Sequence, residues 1–179
     1  MLKRMMIWAV AAALAFSGCN KDTATVTFFA RDKTDVTIPP TVAIDLPFVF
    51  QSPTYNITEL LALNSNSTSP DRVKSVIGDG LNVAVLDTSG TNLDFIKHIT
   101  IYVYNETLGQ TKLAEKTDVP LGLTSLDLDV NKVELIQYVQ SGSPVSFRFE
   151  AGMRNGITKE TNVRVSYRFK VKALLFDKK

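Results

Sequence analysis

The chain of 179 residues has one histidine, His98, and one cysteine, Cys19, and these two bound its chemistry. A lone histidine excludes a multi-histidine zinc site within one chain. A serine nucleophile would need His98 as its base, and no Gly-x-Ser-x-Gly elbow is present to expose such a serine. Neither a phosphate-cradling glycine loop nor a dinucleotide fingerprint occurs. The 18 carboxylates remain, and any two that meet across a cleft have the means to cleave a glycosidic bond. Asp127 and Asp129, two residues apart, read as neighbours on one strand face. Asp87, Asp94 or Asp118 would join them from loops to make an oxygen site for Ca²⁺. Acidic residues at strand ends are ordinarily just solvated, so no metal and no cofactor is expected.

Cys19 is explained by what precedes it. Lys3 and Arg4 open the chain, an apolar run of 12 residues spans 5–16, and the small residues Ser17 and Gly18 lead to Cys19. That order is the layout of a secretory signal. The run is too short for a bilayer core, which takes roughly 20 apolar residues, and Asn20, Lys21 and Asp22 end it.

Phe16-Ser17-Gly18-Cys19 resembles the lipobox of bacterial lipoproteins, with Phe16 where that family usually has Leu. The resemblance covers about the first 20 residues. It implies cleavage between Gly18 and Cys19, a diacylglyceryl group on the Cys19 thiol and acylation of the new amine. Two or more acyl chains, at about 0.8 kcal/mol per buried methylene, give stable anchoring without crossing the membrane. Asn20-Lys21-Asp22 resembles the short charged signals that send Bacteroidota lipoproteins to the cell surface, and an ordinary polar tether is the other reading. Asp22-Thr23-Ala24 is similar to the three-residue O-glycosylation site of that group. In such a protein the N-x-S/T matches at Asn56, Asn66 and Asn105 are chance.

Losing the signal changes the charge balance. The chain has 20 basic and 18 acidic residues, but Lys3 and Arg4 leave with residues 1–18, so 18 of each remain. A neutral chain removes the main support for nucleic-acid binding. Residues 143–179 nevertheless hold nine basic and three acidic side chains. A basic end of this kind orients a protein near a charged surface.

The expected organisation is a signal over 1–18, a lipidated cysteine and tether over 19–24, and one domain over 25–179. Strand patterns recur at 25–30, 42–46, 98–105, 112–116, 125–129, 143–150 and 161–172. Pro39 and Pro40 mark a turn, and 72–87 reads as two strands broken at Gly78-Asp79-Gly80. Leu81, Val83 and Val85 share a face in the second of these. Many short strands parted by turn residues predict a mainly β fold, an antiparallel β-sandwich (immunoglobulin-like or related), with a partly closed barrel as rival. Residues 58–63 suggest a two-turn helix. A helix of about ten residues is expected over 131–140, with Asn131 and Glu134 as a capping box and Gly142 just beyond.

Strand periodicity also yields a candidate binding face. With Val163, Val165, Tyr167, Phe169 and Val171 inward, Arg164, Arg168, Lys170 and Lys172 point outward, as does Arg148 on the preceding strand. His98, Tyr102 and Tyr104 face away from Ile99, Ile101 and Val103. If these strands are neighbours, one surface carries tyrosines beside guanidinium groups, which suits glycans, anionic headgroups or proteins. An ordinary solvated face is the alternative. The expected function is a non-catalytic binding module, with a glycan or protein partner, held in the cell envelope at the outer membrane. Whether it lies on the periplasmic side or at the cell surface is left open. A carrier of an apolar ligand within the sandwich is the second reading, and a carboxylate-based hydrolase the third.

Overall fold

Residues 161–172 alternate in sequence, and they alternate in space. Val163, Val165, Tyr167, Phe169 and Val171 are buried, while Arg168, Lys170 and Lys172 are exposed. The structure, a computed structural model, describes residues 24–41, 47–54, 69–87 and 91–175. Its strands are β1 (Thr25–Ile38), β2 (Pro47–Gln51), β3 (Val73–Val85), β4 (Ile96–Asn105) and β5 (Gly109–Lys116). They continue with β6 (Ser125–Asp127), β7 (Asp129–Val130), β8 (Ser146–Met153) and β9 (Thr161–Leu174), and one helix, α1 (Ile136–Gln140), precedes β8.

β1 pairs with β9, β2 with β8, β3 with β6 and β4 with β5, all antiparallel. Two sheets result, in the orders β1-β9-β3-β6 and β2-β8-β4-β5-β7. Early strands thus pair with late ones in reverse order, alternating between two sheets, and this is a jelly roll. The antiparallel sandwich is as expected, in its jelly-roll rather than its immunoglobulin-like form. A period of two fixes which face a residue takes but not which strand lies beside it.

The core lies between the sheets. Phe147 of β8 stacks on Tyr167 of β9 with ring centroids 4.2 Å apart, joining the two layers. Phe149, Ile101, Leu113 and Val171 are fully buried around it.

Several elements differ from expectation. β1 runs to Ile38, because Ala30, Thr34 and Ile38 stay buried while Arg31 and Lys33 face out. Residues 72–87 form one strand, not two: Gly78 pairs with Phe169 and Gly80 with Arg168, leaving Asp79 as a bulge. A Cβ on Gly78 would meet Val130 Cγ1 at 3.0 Å, so the glycine admits β7 rather than turning the chain. Residues 125–129 divide between the sheets, with β6 on β3, β7 on β5, and Leu128 buried at the crossing.

The helix keeps only five of the ten expected residues. Upstream, Asn131 N donates to Leu113 O and Leu135 N to Val76 O, so sheet edges take the donors a first helical turn would leave open. Gly142 does follow it with φ of 66°. The strand expected at 42–46 and the helix at 58–63 lie outside the described residues, and β2 was not expected.

Candidate functional site

β9 belongs to one sheet and β4 and β8 to the other, so the single surface expected from the sequence divides in two. Arg164, Arg168, Lys170 and Lys172 lie on the exterior of the four-stranded sheet. His98, Tyr102, Tyr104 and Arg148 lie on the exterior of the five-stranded sheet, across the core. Reading the strands in chain order made β8 and β9 adjacent, whereas a jelly roll sends consecutive strands to opposite sheets.

On the five-stranded exterior the expected neighbours do meet. Tyr102 is directly opposite Arg148, and on its other side it faces Lys112. Arg148 Nη2 lies 3.0 Å from Glu150 Oε1, and Lys112 Nζ lies 3.0 Å from Glu115 Oε2. Burial first, and then the Glu150 carboxylate, push the Tyr102 phenol above its ordinary value. Tyr102 therefore stays a neutral donor and acceptor at any physiological pH. His98 is exposed, and its ring lies over Gly152 of the next strand, where a Cβ would collide with it. Gly152 is what lets the imidazole lie there.

Tyr104 lines a pocket of about 280 Å³ at one end of this face, with Gln51, Thr54, Glu106, Thr107 and Ser143 around it. Gln51 Nε2 donates to Ser146 Oγ at 2.5 Å, which holds the amide in the wall. Asn105 braces the floor. It is 1% exposed, donates to Ser141 Oγ and accepts from Leu108 N, so this N-x-T match has no free amide to modify. Sequence reasoning missed Gln51 and Glu106, which are single polar residues at strand ends without a motif.

The four-stranded exterior is more self-paired than expected. Arg164 donates to both Asp35 oxygens, at 2.7 and 2.8 Å. Arg168 Nε donates to Asp79 at 2.5 Å, and its guanidinium carbon lies 5.8 Å from the Phe29 ring centroid. Lys170 and Lys172 are exposed and form no ion pair with a described residue. The guanidinium of Arg164, mainly by hydrogen bonding, holds the Asp35 carboxyl below its ordinary value.

The linkage sign follows from that direction. The pair's contribution is fully present above the unfolded carboxyl value and is lost as pH falls through the lower folded one. A carboxyl NMR titration should therefore place Asp35 below an unpaired aspartate, and Arg164→Ala should return it to the ordinary range. An Asp35 midpoint unmoved by that substitution would refute the pairing.

Asp127 and Asp129 belong to different sheets, on β6 and β7, but both are exposed and both line a cleft of about 920 Å³ with Asp32 and Asp79. Asp127 accepts from Asn82 Nδ2 at 2.8 Å, and Asp129 lies 3.1 Å from Lys116 Nζ. Asp94 braces a loop by accepting from Gly122 N and Asn92 Nδ2. Asp118 lies 3.8 Å from Arg154, and Asp87 is exposed at the end of β3. Among the described residues no three acidic, histidine or cysteine side chains gather as a metal cluster. An apolar void between the sheets, bordered by Phe48, Phe50 and Met153, measures about 10 Å³. Gly18 and Cys19 lie outside the described residues, and no described helix is long and apolar enough to cross a membrane.

No protein-family model matches the chain, and no curated protein matches it. Among solved structures, a decameric BFDV capsid protein aligns at 10% identity with a TM-score of 0.42, over 84% of this chain and 99% of that one. Desmodium yellow mottle tymovirus aligns at 8% identity with a TM-score of 0.31, over 86% and 91%.

Proposed function

We propose that the chain is a lipid-anchored protein of the bacterial cell envelope, at the outer membrane, whose jelly-roll domain is a non-catalytic binding module for glycans. The anchor rests on Phe16-Ser17-Gly18-Cys19. The binding reading is carried by one observation, the pocket that Tyr104 lines together with Gln51 and Glu106. A pyranose has an apolar C–H face and a rim of hydroxyls. A tyrosine ring offers that face an apolar body, while an amide and a carboxylate accept from the rim. Tyr102 and Arg148 extend the same surface for a longer glycan. A protein partner is the alternative occupant of the face.

The carrier reading finds no support in a void of about 10 Å³, which is barely one water's probe volume. Drug-sized ligands occupy about 300 Å³ or more. For the hydrolase reading, a cleft of about 920 Å³ on the four-stranded side is lined by Asp32, Asp79, Asp127 and Asp129, of which Asp79 accepts from Arg168, Asp127 accepts from Asn82 and Asp129 pairs with Lys116.

Cys19→Ser should abolish incorporation of a radioactive fatty acid and leave uncleaved precursor. Persistent labelling would overturn the anchor. Tyr104→Ala should weaken retention on envelope glycans at least tenfold with an unchanged melting temperature. Unchanged retention would reject the pocket, and loss of a captured protein instead of a glycan would reassign the face.

A further inference from the structure

The two exteriors of the sandwich differ in charge, and the chain enters the domain on the more basic one. The four-stranded exterior carries Arg31, Lys33, Arg164, Arg168, Lys170 and Lys172 against Asp35, Asp79 and Asp127, a net of +3. On the five-stranded exterior, Arg148 and Lys112 are matched by Glu150 and Glu115.

The charge lies close to where the tether begins. β1 starts at Thr25, six residues after Cys19, a span of at most about 20 Å when extended. Leu175 N donates to Ala24 O at 3.0 Å, so β9 ends beside that start. Lys172 lies opposite Thr27 and Lys170 opposite Phe29, about 7 and 13 Å along the strand from Thr25. The same end exposes apolar side chains: Val26 is 38%, Phe29 45% and Leu175 48% accessible. Phe29, flanked by the Arg168 guanidinium, combines an aromatic ring and a cation in the way membrane-interface residues do.

We infer that the Thr25 end of the four-stranded exterior is a second contact with the membrane, an anionic lipid surface bound through Lys170, Lys172 and Phe29. It rests on the anchored reading above. Lipidation at Cys19 holds the domain near the bilayer, and this patch orients it there. The Tyr104 pocket lies on the exterior of the opposite sheet.

The test uses the chain from residue 19 to 179, produced without the signal. Cys19, its only thiol, is coupled to a maleimide-headgroup lipid in vesicles of phosphatidylcholine with about one-third phosphatidylglycerol, a share that gives an anionic surface potential. Chemical coupling makes the outcome independent of whether cells acylate Cys19, so failure here and failure of the Cys19→Ser labelling test are distinguishable. The sole tryptophan, Trp8, is absent from this chain, so Phe29→Trp supplies a single reporter. Leu121→Trp, in a 66% exposed residue at the other end of the sandwich, is its control.

Brominated lipids should quench the tryptophan of the Phe29→Trp variant and spare that of Leu121→Trp. Equal quenching of both, or none at Phe29→Trp, would overturn the inference. As a second readout without tryptophan, sedimentation of the uncoupled chain with the same vesicles should weaken about fivefold for each of Lys170→Ala and Lys172→Ala. Sedimentation that ignores both changes, or that is equal on pure phosphatidylcholine, would overturn it as well.

Discussion

Phe149→Ala should lower the unfolding free energy by about 3–5 kcal/mol, a large part of the 5–15 kcal/mol typical of a domain. Phe149 is fully buried and lies opposite Phe50 on β2 and Ile101 on β4, and it stacks on Phe50 at 4.4 Å and 11°. Removing the ring loses its transfer energy and leaves a void that strands fixed on both sides cannot close. Urea denaturation should show the midpoint falling by roughly 2 M at an m-value of about 2 kcal/mol/M. Val49→Ala, on the exposed side of β2, should stay within about 0.5 kcal/mol. A loss below about 1 kcal/mol at Phe149 would mean that this position is not the centre of the core.

The inward face of β9 was legible in the sequence. Where a strand has one face on the core and one in water, the pleat writes that division into the residues at a period of two. Val163 to Val171 and Ile99 to Val103 show it plainly, and their burial agrees. β1 hides it, because an edge strand exposes even part of its inward set: Asp32 takes an inward position and Phe29 an outward one. The division of the Tyr/Arg surface was not legible at all. Which strand neighbours β9 is decided by pairings such as Thr25 with Leu174, residues some 150 apart, and nothing local encodes them. The pocket at Tyr104 has the same origin, since Gln51, Glu106 and Ser143 come from three separate parts of the chain. Lys170 and Lys172 were correctly placed outward. That they, and not Arg164 or Arg168, lack a carboxylate partner depended on Asp35 and on the bulged Asp79.

Glu134 is the clearest case of a residue whose type was read correctly and whose partners were not. The sequence makes it the third residue of a capping box after Asn131, but its carboxylate works across the sandwich edge instead. Oε1 accepts from Val76 N at 2.7 Å and from Leu135 N and Ile136 N at 3.1 Å each, and Oε2 accepts from Ser75 Oγ at 2.5 Å. One side chain thus ties the start of α1 to β3, next to the bridge between Glu134 and Ile77. Hydrogen bonds to a charged group contribute about 1.5–3 kcal/mol each, but bonds sharing one acceptor do not add, and donors at this rim regain water when it is lost. Glu134→Ala should therefore cost about 2–3 kcal/mol in total. Glu134→Gln, which keeps one acceptor oxygen, should cost about half as much. Amide hydrogen exchange separates this clamp from a general loss of stability. The Val76 and Ile136 amides should lose protection beyond the global change in Glu134→Ala, while the Val165 amide in β9 should track global stability alone. Equal loss of protection at all three amides would reduce Glu134 to an ordinary surface residue and return the ordering of α1 to the apolar contacts of Leu135, Tyr138 and Val139.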